Sequence, residues 1–95
     1  MQKIEIYSGP FCGYCMRAKA LLKNKGLNYT EYDIYADTDK REEMMQRTGG
    51  ARSIPQIYIN GRHVGGSDEL HALSNNGELD DWLQDETAAA STSGH

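Results

Sequence analysis

Cys12-Gly13-Tyr14-Cys15 sets two thiols three residues apart, and the chain has no other cysteine. The pair follows a strand-like run and opens a helix-like one, so both sulfurs fall on one face at a helix N-terminus. At that spacing their Cα atoms can approach to the separation a disulfide accepts. Unpaired backbone N–H groups and the helix dipole favour an anion there, so the first cysteine is expected to be held as a thiolate. The thiolate is the species that attacks disulfides. Cys12 is therefore the expected exposed nucleophile, and Cys15, a turn deeper, is the resolving thiol or a bystander. The ring they can close is small, which marks a disulfide that is easily reduced.

Two other uses of the pair weigh less. Structural zinc asks for four ligands, and the further candidates His63, His71 and His95 stand at spacings unlike a zinc finger. No metal site is expected on that account. A purely structural pair is out of place in a reducing compartment. Pro55 is the second informative position: it begins a strand, where a missing N–H costs little, and the Ile54–Pro55 bond is a candidate for the cis form.

The elements that must position these residues alternate. Residues 2–7 read as a strand with Ile4 and Ile6 on one face. From Gly13 to Lys25 the apolar positions Cys15, Ala18, Leu21 and Leu22 recur at helical spacing, and Gly26 stands where a left-handed cap would stop the helix. Residues 28–34 form a second strand, with Tyr32 and Ile34 on one face. A helix over 39–47 starts at Asp39, capped with Glu42, and ends at Gly49-Gly50. Gln56–Ile59 and Arg62–Gly65 flank Asn60-Gly61, a strong hairpin signal because both turn residues need positive φ. Ser67 is the expected N-cap of a helix through Leu70 and Leu73, and a last short helix carries Leu79, Trp82 and Leu83.

The order β-α-β-α-β-β-α-α predicts an α/β fold: a four-stranded mixed sheet flanked by helices on both faces, its first β-α-β unit a right-handed parallel crossover. Lys3 and Glu5 are too polar for a strand buried on both faces and are expected near its ends or edges.

Ninety-five residues make one domain, placed at 1–86, with the small polar run 87–95 expected to be a disordered tail. Fourteen acids against ten bases give a net charge of −4, unlike the basic footprint of a nucleic-acid binder. Lys19, Lys23 and Lys25 read as one solvated helix face. No apolar run is long enough to span a membrane. Because MQKIEIY enters a strand at once, no signal peptide is expected, and a reducing cytoplasm is the default location.

Cys12-Gly13-Tyr14-Cys15, Ser53-Ile54-Pro55 and Gly65-Gly66-Ser67-Asp68, in that order and spacing, resemble the glutaredoxins. The likeness is to their short dithiol class, with the thioredoxin fold, and runs from Ile4 to about Leu83. It implies glutathione as cosubstrate, glutathionylated or disulfide-containing proteins as partners, and a monomer. It also implies that Ile54 and the cis-proline Pro55 pair with the glutathione cysteinyl backbone, a single rung of strand addition. Gly66, Ser67 and Asp68 would hold the γ-glutamyl end, helped by donors at the helix N-terminus. Arg47 would face the glycyl carboxylate, and Tyr14 would flank the groove. Arg17 and Lys19 add positive potential near the thiolate, though a solvated helix face is the simpler reading of both.

Two positions depart from the family pattern. Gly9 stands where many members carry a lysine, removing a cation that would help hold the thiolate and the glycyl carboxylate. Gly13 stands where proline is common. Members with glycine or serine there include some that share a [2Fe–2S] cluster between two protomers through the nucleophilic cysteine and glutathione. A homodimer ligating a cluster by Cys12 is thus the alternative reading.

Overall fold

Alternation along the first strand sends Ile4 and Ile6 to one face of a sheet and Glu5 and Tyr7 to the other. The computed structural model describes residues 3–84. It contains β1 (Ile4–Ser8), α1 (Gly13–Asn24), β2 (Thr30–Asp33), α2 (Thr38–Thr48), β3 (Gln56–Ile59), β4 (Arg62–Gly65), α3 (Ser67–Asn75) and α4 (Leu79–Gln84). The strands lie in the order β2-β1-β3-β4, with β1 parallel to β2 and antiparallel to β3. The element order and the mixed four-stranded sheet agree with the expectation. The 87–95 run and residues 85–86 lie outside the described residues, as does His95.

Two cores follow from the alternation. On one face Ile4, Ile6, Ile57 and Ile59 pack against Ala18 and Leu22 of α1, Leu70 and Leu73 of α3, and Leu79 and Leu83 of α4. On the other, Tyr7, Ile34 and Tyr58 pack against Met44 of α2. Leu22, Ile57 and Leu70 are fully buried, and each contributes about 1.5–3 kcal/mol over an exposed side chain. The first core fixes α1, and with it the two thiols, against the sheet.

Glu5 corrects the sequence reading in part. It is the second residue of the inner strand β1, near the strand's end, but it is buried all the same. Its carboxylate accepts from the Tyr32 hydroxyl at 3.0 Å and from the Arg47 guanidinium at 3.3 Å. A buried charge persists only when paired in this way. The second helix is capped two residues earlier than expected: Asp37, not Asp39, is its N-cap, and its side chain accepts from the N–H groups of Asp39 and Lys40. Asp39 sits in the first turn, where an acid still complements the dipole.

Asn60 and Gly61 both take positive φ, 51° and 86°, closing a two-residue turn between Ile59 and Arg62. Asn60 does more than turn the chain. Its side-chain oxygen accepts from Lys3 N–H, and its amide nitrogen donates to the carbonyls of Trp82 and Leu83. The hairpin is thereby tied to the start of β1 and to α4.

Candidate active site

β1 delivers the chain to the loop Gly9-Pro10-Phe11, and Cys12 becomes the N-cap of α1 with extended backbone angles. Its sulfur takes the position of the usual capping oxygen, accepting the Cys15 N–H at 3.2 Å. Cys12 is partly exposed and Cys15 is buried. The N-terminal sulfur is thus the more accessible of the two. Burial pushes the Cys15 thiol up to about 12; the bond to Cys12 adds to this, while the Gly9 N–H and Lys19 pull the other way. The two thiols differ in access to a substrate, the first partly exposed and the second buried.

Lys19 is not a free cation. Its ammonium lies 2.8 Å from Glu31, which also accepts from the buried Ser8 hydroxyl at 2.5 Å. The Lys19 bond, then the Ser8 bond, hold the Glu31 carboxyl below its usual range. The Lys19–Glu31 pair joins α1 to β2 behind Cys15.

Across from α1 the Ile54–Pro55 bond is cis, and the Ile54 carbonyl lies 3.9 Å from the Cys12 sulfur. Beside it runs an open cleft of about 410 Å³. It is lined by Tyr14, residues 53–56 and residues 63–69. Of the residues singled out from sequence, the cleft gathers Tyr14, Ile54, Pro55, Gly66, Ser67 and Asp68. Cys12 does not itself line the cleft, but its sulfur lies beside Ile54, which does.

Ser67 is not the N-cap of α3. Gly66 is, and Ser67 is the first helical residue, buried with its hydroxyl turned toward His71. Glu69 reaches back to accept the Gly66 N–H at 2.8 Å. A glutamate three residues into a helix does this routinely, so Gly66-x-x-Glu69 was readable.

Arg47 does not line the cleft. Its guanidinium lies 3.8 Å over the Tyr58 ring, donates to the Tyr7 hydroxyl at 2.8 Å and pairs with Glu5. The physical reason is the buried Glu5 carboxylate, which draws the nearest cation of α2 to the sheet. These bonds hold Arg47 charged beyond its usual range, outweighing burial.

Sequence reasoning missed Gln56 and His63 in the cleft. The His63 ring is within 2.7 Å of the Gln56 amide oxygen, and the Gln56 amide donates to Ser53. Only the pairing of β3 with β4 brings 56 and 63 together. It also missed Tyr35. A Cβ on Gly9 would come within 2.5 Å of the Tyr35 ring and 3.0 Å of Ile54, so the aromatic side chain occupies the space a residue larger than glycine would need.

A mixed four-stranded sheet carrying a Cys-x-x-Cys at a helix start, facing a cis-proline, defines a thiol–disulfide oxidoreductase of the thioredoxin fold. The comparisons with known proteins narrow this. The glutaredoxin family model matches residues 4–64. A probable glutaredoxin of Synechocystis is 51% identical over 81 residues, which are 85% of this chain and 92% of that one. The solution structure of a glutaredoxin from Brucella melitensis aligns with TM-score 0.73 at 46% identity, over 86% of this chain and 88% of that one. A buckwheat glutaredoxin–glutathione complex aligns with TM-score 0.76 at 29% identity, over 86% and 76%. The chain belongs to the glutaredoxin family.

Proposed function

We propose that the chain is a glutathione-dependent oxidoreductase that reduces protein–glutathione mixed disulfides and protein disulfides through Cys12. The observation that carries this is the Cys12 sulfur itself: partly exposed, capped by the Cys15 N–H, and set beside the carbonyl of Ile54, a residue lining a tripeptide-sized cleft. The buckwheat relative, solved as a glutathione complex, supports the choice of ligand.

In this reading the cysteinyl backbone of glutathione pairs with the main chain of Ile54 ahead of Pro55. Tyr14 packs along the tripeptide. The γ-glutamyl carboxylate sits at the start of α3. The Gly66 N–H is taken by Glu69, so the donors offered there are the backbone N–H groups of Ser67 and Asp68. The Asp68 carboxylate takes the γ-glutamyl ammonium. Arg47 is left out of the ligand set, because Glu5 holds it.

The Cys12 thiolate attacks the glutathione sulfur of a mixed disulfide, and the protein thiolate leaves and takes up a proton. A second glutathione thiolate then attacks the Cys12–glutathione bond, releasing oxidised glutathione and restoring Cys12. With a protein disulfide, Cys12 first joins one substrate sulfur. Cys15, once deprotonated, attacks Cys12 and frees the substrate. Two glutathiones reduce the resulting internal disulfide. Such chemistry suits a monomer in a reducing cytoplasm.

The test is turnover of a cysteine–glutathione mixed disulfide, coupled to glutathione reductase. Wild type and Cys15→Ser should both turn over, and Cys12→Ser should not. Full activity in Cys12→Ser would sink the assignment.

The second reading is a [2Fe–2S]-bridged homodimer. A Cβ on Gly13 would meet nothing within 4 Å, so packing inside the chain does not ask for glycine there and leaves that helix face open. Cys12 is the one partly exposed thiol of the described residues, and a cluster wants four sulfurs. Cys12 from two copies with two glutathiones would complete the set. Visible absorption and a doubled mass after anaerobic reconstitution would favour it.

A further inference from the structure

Four large apolar side chains stand in solvent among the described residues: Phe11, Tyr14, Met16 and Tyr35. Single exposed apolar residues need no explanation, but a cluster does. Phe11 immediately precedes the nucleophile, Tyr14 follows it by two and walls the cleft, and Met16 adjoins Cys15. The Tyr35 ring reaches Gly9 and so comes close to Ile54, whose carbonyl faces the Cys12 sulfur.

Phe11 is the most telling of them. Its φ of 57° lies in the left-handed region, which a bulky residue adopts only under constraint. Its ring is wholly exposed, so no packing within the chain repays that conformation. Strain of this kind, kept next to a reactive group, points to a role in function.

We propose that Phe11, Tyr14 and Tyr35 form an aromatic docking collar for the polypeptide part of the substrate. This rests on the oxidoreductase reading above, and adds which polypeptides are preferred. The occupant is an extended segment whose reactive cysteine is flanked by an aromatic or branched aliphatic side chain, with an acid a few residues along. Aromatic rings are favoured anchors at such interfaces. Arg17 gives the charge preference, since it lines a depression next to the collar with Gly13 and Tyr14. Asp68 and Glu69 line the glutathione cleft and repel an acidic segment there, which directs it to the Arg17 side. The division of labour follows the bond being broken. Glutathione, whose sulfur bonds to Cys12, occupies the cleft; the polypeptide whose thiolate leaves and is protonated lies on the collar.

The experiment uses glutathionylated peptides with Phe or Ser beside the cysteine and Glu or Lys further on. Cysteine–glutathione serves as the small-substrate reference. Wild type should favour the Phe/Glu peptide over the Ser/Lys peptide by about tenfold in kcat/KM, chiefly through KM, as expected for one good aromatic anchor. Phe11→Gly, which accepts positive φ freely, should erase most of that preference and leave cysteine–glutathione turnover within about twofold. Equal turnover of the two peptides by wild type, or a preference intact in both Phe11→Gly and Tyr35→Ser, would overturn the collar. So would a wild type that dimerises in sedimentation while Phe11→Gly stays monomeric, since the occupant would then be a second copy. No turnover even of cysteine–glutathione would instead refute the oxidoreductase reading. In that case, binding of the same peptides with the cysteine alkylated instead of glutathionylated still reads the collar, with the same ranking expected and its absence overturning it.

Discussion

Replacing Arg47 by methionine separates the role the sequence suggests for this residue from the one the structure gives it. Methionine keeps much of the apolar contact with Tyr58 but removes the cation from Glu5 and the donor from the Tyr7 hydroxyl. Stripping one partner from a fully buried ion pair costs about 3–5 kcal/mol. Here the loss is smaller. The Arg47 side chain is 27% exposed, so water can reach the gap, and Glu5 keeps its bond from Tyr32. About 2–3 kcal/mol is the working figure after that discount. In a domain of this size it lowers Tm by about 10–20 °C, a large share of a total stability near 4–12 kcal/mol. Thermal and urea unfolding would measure it. Adding Glu5→Leu removes the stranded charge, and the double variant should recover about 1 kcal/mol or more. Well below Tm, kcat/KM for cysteine–glutathione should change by no more than about twofold. An unchanged Tm together with a KM for glutathione raised about tenfold would refute this reasoning, because the guanidinium would then serve the ligand and not Glu5.

The remaining predictions concern the thiols and the scaffold. Burial pushes the Cys15 thiol up to about 12, so the resolving step should quicken steadily from pH 7 to 10 in stopped-flow reduction of a protein disulfide. A flat profile would mean that Cys15 is not the attacking group. The Glu31 carboxyl is held down by Lys19 and then Ser8. Its contribution is therefore present above its unfolded pKa of 4.5 and is lost as the pH falls through the lower folded value. The stability gap between wild type and Glu31→Gln should be under about 1 kcal/mol, given the partial exposure, constant at neutral pH and closing below pH ~4.5. Asn60→Ala loses three side-chain hydrogen bonds and an easy positive φ. It should destabilise by about 2–3 kcal/mol in urea titrations, while an effect under about 0.5 kcal/mol would show that the hairpin is not pinned there.

What the sequence determined by itself is what depends on neighbours along the chain. The spacing of Cys12 and Cys15 at a helix start, the stop at Gly26 and the Asn60-Gly61 turn are local, and local propensity is enough to set them. Apolar alternation in Ile4, Ile6, Ile57 and Ile59 was equally legible, and with it the element order and the mixed sheet. The motifs Ile54-Pro55 and Gly66-Ser67-Asp68 were readable as a resemblance, and the fold brings them to one cleft.

Tertiary structure decided whatever needed a partner distant in sequence. Glu5 looked too polar for an interior strand because nothing nearby announces that Arg47, 42 residues on, will neutralise it. The same pairing took Arg47 from the cleft. His63 meets Gln56 only once β3 and β4 pair, and Tyr35 meets Gly9 only once the chain beyond β2 folds back along the loop after β1. Lys19 is paired because the parallel alignment of β1 and β2 sets Glu31 where its carboxylate accepts from both Lys19 and Ser8. Charge is the common thread. A charged side chain's role depends on which opposite charge the fold brings within about 4 Å, and periodicity along the chain carries no record of that distance.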